Sequence, residues 1–460
     1  MSEQPKPCPE TGSSHGVNLR DGRYRNRPGL EAPRESIAGA LYAIYLRAFS
    51  PAGTLASVLP ELDRLAALGV STLWLLPVHP VGVRDRKGSL GSPYAVRDYR
   101  ALDPAYGTED DLRRLLHEAH ARGLRVILDF VANHAAADHP VAADHPGWFA
   151  TDSSGRLTRR VAEWSDVIDW RFEEPGVGDY LVGSALHWVR DCGLDGFRCD
   201  VAGMVPGEFW AGLREALLRV RPDHFLLAEW QDAALHETAF HASYDWVLYR
   251  ALRDTGRGRT DARAVTDALE TWNANFPRKA TPLRFLENHD EPRVLSWLPA
   301  ARLPAFAATT FLSGGLPLLY NGQEIGADHR PSLFEREPIA WDAGDPNLTV
   351  LYGDLLRRRR RAPWGPGRPR LVPRDRPEAV VAFTREAPGC RGLLVANLSP
   401  EPVRVRVRPA RSSTGNESKG GTSPVFRDDA GHVVAPGTSL DLDPGEAWVG
   451  EAVDGTPTAP

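Results

Sequence analysis

The sequence is poor in sulfur, with 4 cysteines and 2 methionines in 460 residues. Cys8, Cys192, Cys199 and Cys390 are too sparse for a disulfide framework, and there is no CxxC pair to clamp zinc or run dithiol chemistry. They read as free thiols, in keeping with a reducing compartment. Long apolar runs are also missing. No stretch approaches the roughly 20 residues of a spanning helix, and the opening MSEQPKPCPETGSSHG lacks the apolar centre of a secretory leader. A cytoplasmic location with no membrane partner is the expectation. Charge of one sign is not in excess either: 55 Lys plus Arg stand against 60 Asp plus Glu, a net −5. That gives no basic surface for nucleic acid. Strand ends carry no GxGxxG or P-loop, and no HxH or HExxH spacing marks a metal centre.

What is present is an ordinary globular balance, 42% hydrophobic and 25% charged. From residue 41 a unit repeats in which an amphipathic helix is followed by a short apolar strand. In TLASVLPELDRLAALGV, Thr54 is a candidate cap, six aliphatic residues from Leu55 to Leu68 keep helical spacing, and Gly69 stops the helix before STLWLLPV. In TEDDLRRLLHEAHARGLRVILDFVANH, Thr108 and Asp111 form a capping box and Gly123 ends the helix. Later strand candidates are GFRCDV, HFLLAEW, SYDWVLY (243–249), PLRFLENHD (282–290) and LPLLYNGQE (316–324). About eight such units predict an α/β fold, a (β/α)8 TIM barrel whose strands, buried on both faces, read as continuous apolar runs.

The expected organisation is an N-terminal arm over 1–36, loosely attached or disordered, then a barrel over 37–365, then a C-terminal domain over 366–460. Residues 134–172 form an insertion after the third barrel strand, at the end where barrel active sites are built. Beyond residue 366, AVVAFTRE, GLLVANLS, PVRVRVRP and EAWVGEA predict an antiparallel β-sandwich with a loose loop at 412–423. The basic run Arg357–Arg361 reads as a solvated helix C-terminus favoured by the helix dipole.

Chemistry concentrates at the predicted strand ends. In FRCD, Arg198 and Asp200 share one strand face, so the guanidinium would favour an ionised carboxylate able to act as a nucleophile. Taken alone, the pair is equally a structural salt bridge. LLAEW places Glu229 after apolar residues, which suits a general acid. ENHD adds His289 and Asp290, and DFVANH adds Asp129 and His134. Two carboxylates in differing environments are the apparatus of retaining glycoside hydrolysis. A divalent metal held by the histidines and carboxylates is the rival reading.

DFVANH, GFRCD, AEW and ENHD, in that order, resemble the four signature regions of the α-amylase family of glycoside hydrolases, and GSPYAVRDYRALDPAYGT resembles the family's segment after the second strand. The resemblance implies Asp200 as nucleophile, Glu229 as acid/base and Asp290 as a holder of sugar hydroxyls. It implies that Arg198 orients Asp200, that Asp129 holds Arg198, that His134 and His289 contact the sugar and that Tyr94 stacks on it. Arg293 resembles the pattern of exo-acting glucosidases, whereas Ala95 departs from it, and Val201 resembles members that cleave α-1,6 links. Gly203-Met204 stands where calcium-dependent members carry Lys-His. No metal or other cofactor is therefore expected, although Asn133, with Asp138, Asp144, Asp152 and Asp166, offers oxygens for a structural calcium ion. Three functions follow: a hydrolase of malto-oligosaccharides or starch-like glucans, a transglycosylase or exo-glucosidase of the same family, or a non-catalytic binding protein. The partner is carbohydrate, and the expected assembly is a monomer or weak homo-oligomer.

Overall fold

The computed structural model describes residues 30–408 and 424–453. Most of the expected N-terminal arm, Cys8 and the loop at 412–423 lie outside the described residues. Ten strands precede residue 321: β1 (Ala40–Ile44), β2 (Val70–Leu75), β3 (Arg125–Phe130), β4 (His134–Ala136), β5 (Val167–Asp169), β6 (Gly196–Cys199), β7 (Phe225–Ala228), β8 (Ala242–Tyr244), β9 (Thr281–Arg284) and β10 (Leu316–Tyr320). Eight of them close a parallel barrel in the order β1-β10-β9-β8-β7-β6-β3-β2. The expected barrel is therefore present.

The insertion leaves this ring intact. β4 and β5 pair antiparallel outside it, while β3 and β6 pair directly, with Asp129 opposite Arg198. The inserted residues are not simply polar loop. Phe149 stacks on Trp170 at 4.2 Å, and His139 meets Trp170 edge-on at 5.4 Å, an aromatic plug that fixes the segment on the rim.

Strand and helix ends follow local chemistry. Thr108 accepts from Asp111 N at 3.2 Å while Asp111 accepts from Thr108 N at 2.8 Å, so the expected capping box forms. Thr54, by contrast, does not cap a backbone amide. Its hydroxyl pairs with that of Ser57 at 2.9 Å, and Leu55–Glu61 winds as a 3-10 helix containing Pro60. A proline removes an amide donor, and the α-helix starts only at Leu62. The predicted strand over 243–249 is also shorter than expected. It ends at Tyr244, because Asp245 accepts from Leu248 N at 3.2 Å and starts the helix Trp246–Gly256.

Two further expectations are corrected. Residues 30–36 are not a free arm: Ala32 and Ser36 are buried, and the Ser36 carbonyl accepts from the hydroxyls of Ser71 and Thr72. The basic run is not wholly solvated, because Arg359, on the inner face of the helix Pro346–Arg359, is fully buried.

The C-terminal strands are β11 (Arg370–Leu371), β12 (Val380–Ala387), β13 (Cys390–Asn397), β14 (Val403–Arg406), β15 (Val425–Arg427), β16 (Val433–Val434), β17 (Ser439–Leu442) and β18 (Ala447–Val453). Six form one antiparallel sheet, β11-β12-β13-β18-β15-β16, and β14 pairs with β17. Period-two alternation divides the apolar residues. Val381, Phe383, Leu394 and Ala396 join the barrel core, whereas Val380, Ala382, Leu393 and Val395 pack with Val405 and Leu442 of the smaller sheet. The sandwich is thus unequal, with the barrel covering the face that a larger second sheet would take. Among the described residues, Cys192, Cys199 and Cys390 are free thiols and no helix is long and apolar enough to cross a membrane.

Candidate active site

Register builds the site. Cys199 of β6 pairs with Ala228 of β7, so Asp200 and Glu229, each one residue further on, leave adjacent strands at the same level. Arg198 lies between them inside the barrel mouth. Its Nη1 meets Asp200 Oδ1 and Asp129 Oδ1, each at 2.8 Å, and its Nη2 meets Glu229 Oε1 at 2.7 Å. One guanidinium thus holds three carboxylates. Burial opposes the charge on Arg198, but Asp129 and Glu229 more than offset it and keep the guanidinium protonated. Asp129 is itself fully buried, and that burial raises its carboxyl above the ordinary carboxylate range despite the arginine.

Sequence placed Glu229 in apolar surroundings. The structure adds two polar partners, the arginine and the amide of Val201, which donates to Glu229 Oε2 at 2.9 Å. That amide is aimed by a left-handed turn, Val201 φ 37°. A β-branched residue in this region is strained by roughly 1–3 kcal/mol. The same turn carries Asp200, so nucleophile candidate and acid candidate are fixed by one backbone kink.

Asp290 comes from the loop after β9. Its amide donates to Asn288 Oδ1 at 2.9 Å, and its Oδ2 lies 3.1 Å from His289 Nε2. Tyr94, from the loop after β2, is 2.6 Å from that same His289 nitrogen and donates to Asp129 at 3.1 Å. Burial and the Asp129 charge hold the Tyr94 phenol protonated. His134 is buried, with Nδ1 3.1 Å from Asn133 Nδ2 and its ring against Trp164 at 5.1 Å. Glu229 at 7% and Asp290 at 8% keep slight exposure, whereas Asp129 and Arg198 have none, so the first two face the open side.

Arg293 is the one expected contact that the fold commits elsewhere. Its Nη1 pairs with Glu287 at 2.6 Å, and its other nitrogens donate to the carbonyls of His329 and Asn321. It braces the loop that carries His289 and Asp290. Three residues were missed. Trp74 donates to Asp129 Oδ2 at 3.2 Å and lies 5.0 Å from the Arg198 guanidinium, and Tyr244 lies under the same cation at 5.8 Å. Both are barrel-strand aromatics, and the only available signal was an aromatic residue among aliphatic ones. Trp230 is the third. Its ring leaves no room for a Cβ at Gly203, the nearest atom being 2.1 Å away, which explains why glycine stands at the first of the two departing positions.

Several oxygens that could hold the family's structural calcium ion have other partners. Asn133 Oδ1, Asp169 Oδ2 and the Met204 carbonyl all accept from Arg160, the last two at 2.9 and 3.1 Å. These three oxygens, of the kind that a hard cation prefers, are held by a guanidinium. Of the other candidates, Asp138 accepts from Val83 N at 3.2 Å, Asp152 closes its own turn with Ser154, and Asp166 pairs with Lys87 at 3.2 Å.

The model of the alpha amylase catalytic domain matches residues 21–154 and 163–349. The chain belongs to the α-amylase family. Its fold overlays an α-amylase from Lactobacillus plantarum with TM-score 0.82 at 31% identity, covering 91% of this chain and 100% of that one. A noncanonic maltogenic α-amylase, AmyB, from Thermotoga neapolitana overlays with TM-score 0.82 at 30% identity, covering 90% and 99%. The α-amylase MalA of Haloarcula japonica is 31% identical over 400 residues, 82% of this chain. The chain spans 58% of that relative's length. Every family signature quoted from the sequence lies within the matched residues.

Proposed function

We propose that this protein is a retaining glycoside hydrolase acting on α-glucosidic bonds of malto-oligosaccharides or starch-like glucans. The carrying observation is the single guanidinium of Arg198 in contact with both Asp200 and Glu229. It brings two carboxyl groups onto one guanidinium, and a double displacement calls for such carboxyls about 5–5.5 Å apart. An Asp200 oxygen attacks the anomeric carbon while Glu229 gives its proton to the departing glycosidic oxygen. The glycosyl ester on Asp200 then breaks when Glu229, now a base, takes a proton from water and the oxygen of that water attacks the same carbon. Asp290 and His289, joined at 3.1 Å, hold the hydroxyls of the reacting sugar. The charge that Asp200 gives up on forming the ester returns to it when the ester breaks, beside the fixed cation of Arg198. Every step belongs to a carboxylate, and no metal ion or cofactor enters. The same groups serve transfer to a sugar acceptor, and similarity to a maltogenic α-amylase of Thermotoga neapolitana supports short products.

NMR of the first product from maltotriose tests the mechanism: the α-anomer is expected, and the β-anomer first would exclude a covalent intermediate. Chromatography of products from maltose, starch and isomaltose separates exo-hydrolysis from endo-hydrolysis and from transfer. No product from any of them would favour the binding-protein reading.

A further inference from the structure

The opposite end of the barrel holds a cavity of about 530 Å3, walled by the N-terminal ends of β9 and β10, the short helix Arg34–Ile37 and the linker around Gly365–Arg368. Among the described residues, seven cationic ones line it, including Arg278, Arg284, Arg359, Arg360 and Arg368, against one acidic residue, Glu31. That carboxylate is already paired with Lys279 at 2.6 Å. Arg284 has one acidic partner, Asp245, at 3.2 Å. Arg359 has none among the described residues. Fully buried, it donates to the carbonyls of Ile37, Gly39 and Gly315 and keeps Nη1 without a hydrogen-bond partner. Arg385, buried nearby, gives its Nη1 and Nη2 to the carbonyls of Leu312 and Gly365 rather than to an acid.

We propose that this cavity is an anion site for a phosphate dianion, free or carried on a small phosphomonoester. A buried cation that meets only carbonyl dipoles is poorly compensated, and a mobile anion supplies what the protein does not. Planar guanidinium forks match phosphate oxygens in pairs. The volume falls in the range of about 300–1,000 Å3 that holds small ligands, more than inorganic phosphate fills, and Trp272 and Pro282 give it apolar wall for a carbon skeleton. Burial and the like charge of Arg284 draw Arg359 down to about 9, the electrostatic strain that an anion would relieve. Because the acids of the active site lie at the other end of the strands, the two ligands would bind independently.

The test is isothermal titration of the full chain with inorganic phosphate and with glucose 6-phosphate in potassium chloride of about 0.15 M, where exposed charges are screened. Saturable binding is expected, weakened at least about tenfold in the Arg278→Ser/Arg360→Ser variant by loss of two cations. Both residues are exposed, so the fold and the activity on starch should be unchanged. Tighter binding of the hexose phosphate identifies a phosphomonoester as ligand; equal binding identifies free phosphate. Failure of both compounds to saturate, identical binding to the double variant, or displacement by maltotriose would each overturn the proposal.

Discussion

At the C-terminal end of the barrel strands three carboxylates, Asp129, Asp200 and Glu229, surround one guanidinium. At the N-terminal end Arg284, Arg359 and Arg385 lie close enough to repel one another, and among the described residues Asp245 is the one acid paired with them. The same strands thus end in opposite electrostatic environments. Helices in this fold run against the strands, so their N-termini, which favour negative charge, gather at the acidic rim, and their C-termini, which favour positive charge, gather at the other end. The last turn of the helix Pro346–Arg359 carries Arg357, Arg358 and Arg359 to that end. The contrast teaches that acids at the rim are partnered by a built-in cation, whereas the cations below are partnered chiefly by backbone dipoles.

The sharpest break of this contrast is at the rim. Asp200→Asn or Glu229→Gln should lower kcat on starch by at least about three orders of magnitude, with circular dichroism unchanged. More than about a tenth of the activity surviving in either would remove the roles assigned here.

Next comes a matched pair of deletions. Arg198→Met strands three buried carboxylates and should cost about 3–5 kcal/mol. Arg359→Met strands only carbonyl oxygens and should cost about 1–3 kcal/mol. Calorimetric melting in phosphate-free buffer compares them, and equal losses would dissolve the distinction between the two ends.

A drop in pH should weaken both ends together. Burial holds His79 and His139 on the rim side at about 4, and His236 and His241 nearer the other end at about 3. Each is neutral in the fold and takes a proton on unfolding below about 6.5. Stability from them is therefore complete above that value and is lost as pH falls toward 4, at up to about 1.4 kcal/mol per pH unit for each histidine. Asp129 works in the opposite sense, since its raised carboxyl keeps a proton that the unfolded chain releases. A melting temperature flat between pH 7 and 4, monitored at fixed ionic strength, would contradict the burial of neutral histidines.

The smallest effect concerns Arg160, a cation that sits at the rim among Asn133, Asp169 and Met204. Chelator should leave starch hydrolysis unchanged, and added calcium should not shift the melting temperature, because binding to the folded state alone would raise it. In Arg160→Ala the oxygens are released, and calcium should then stabilise by a degree or more. Activity lost to EDTA in the parent and restored by calcium would show that the guanidinium does not replace the ion.

Sequence by itself determined the repeat, the barrel, the order of the signature segments and the acids at strand ends. Those follow from local rules, since periodicity, capping and strand alternation act over a few residues. Asp200, Glu229, Asp290, Asp129, Arg198, His134, His289 and Tyr94 all reached one rim. The limits of a strand over 243–249 were misread because Asp245 caps a helix, and one hydrogen bond from Leu248 outweighs apolar composition. Tertiary structure alone decided the rest. Nothing local reveals that Arg293 braces Glu287, that Trp74 and Tyr244 lie under Arg198, or that Arg160 enters from the insertion to meet Met204 some 44 positions away. Nor does the basic run announce that Arg359 turns inward while Arg360 stays in solvent. Such partners are chosen by closure of the barrel, which sets residues remote in the chain side by side and leaves each charge to find its compensation in space.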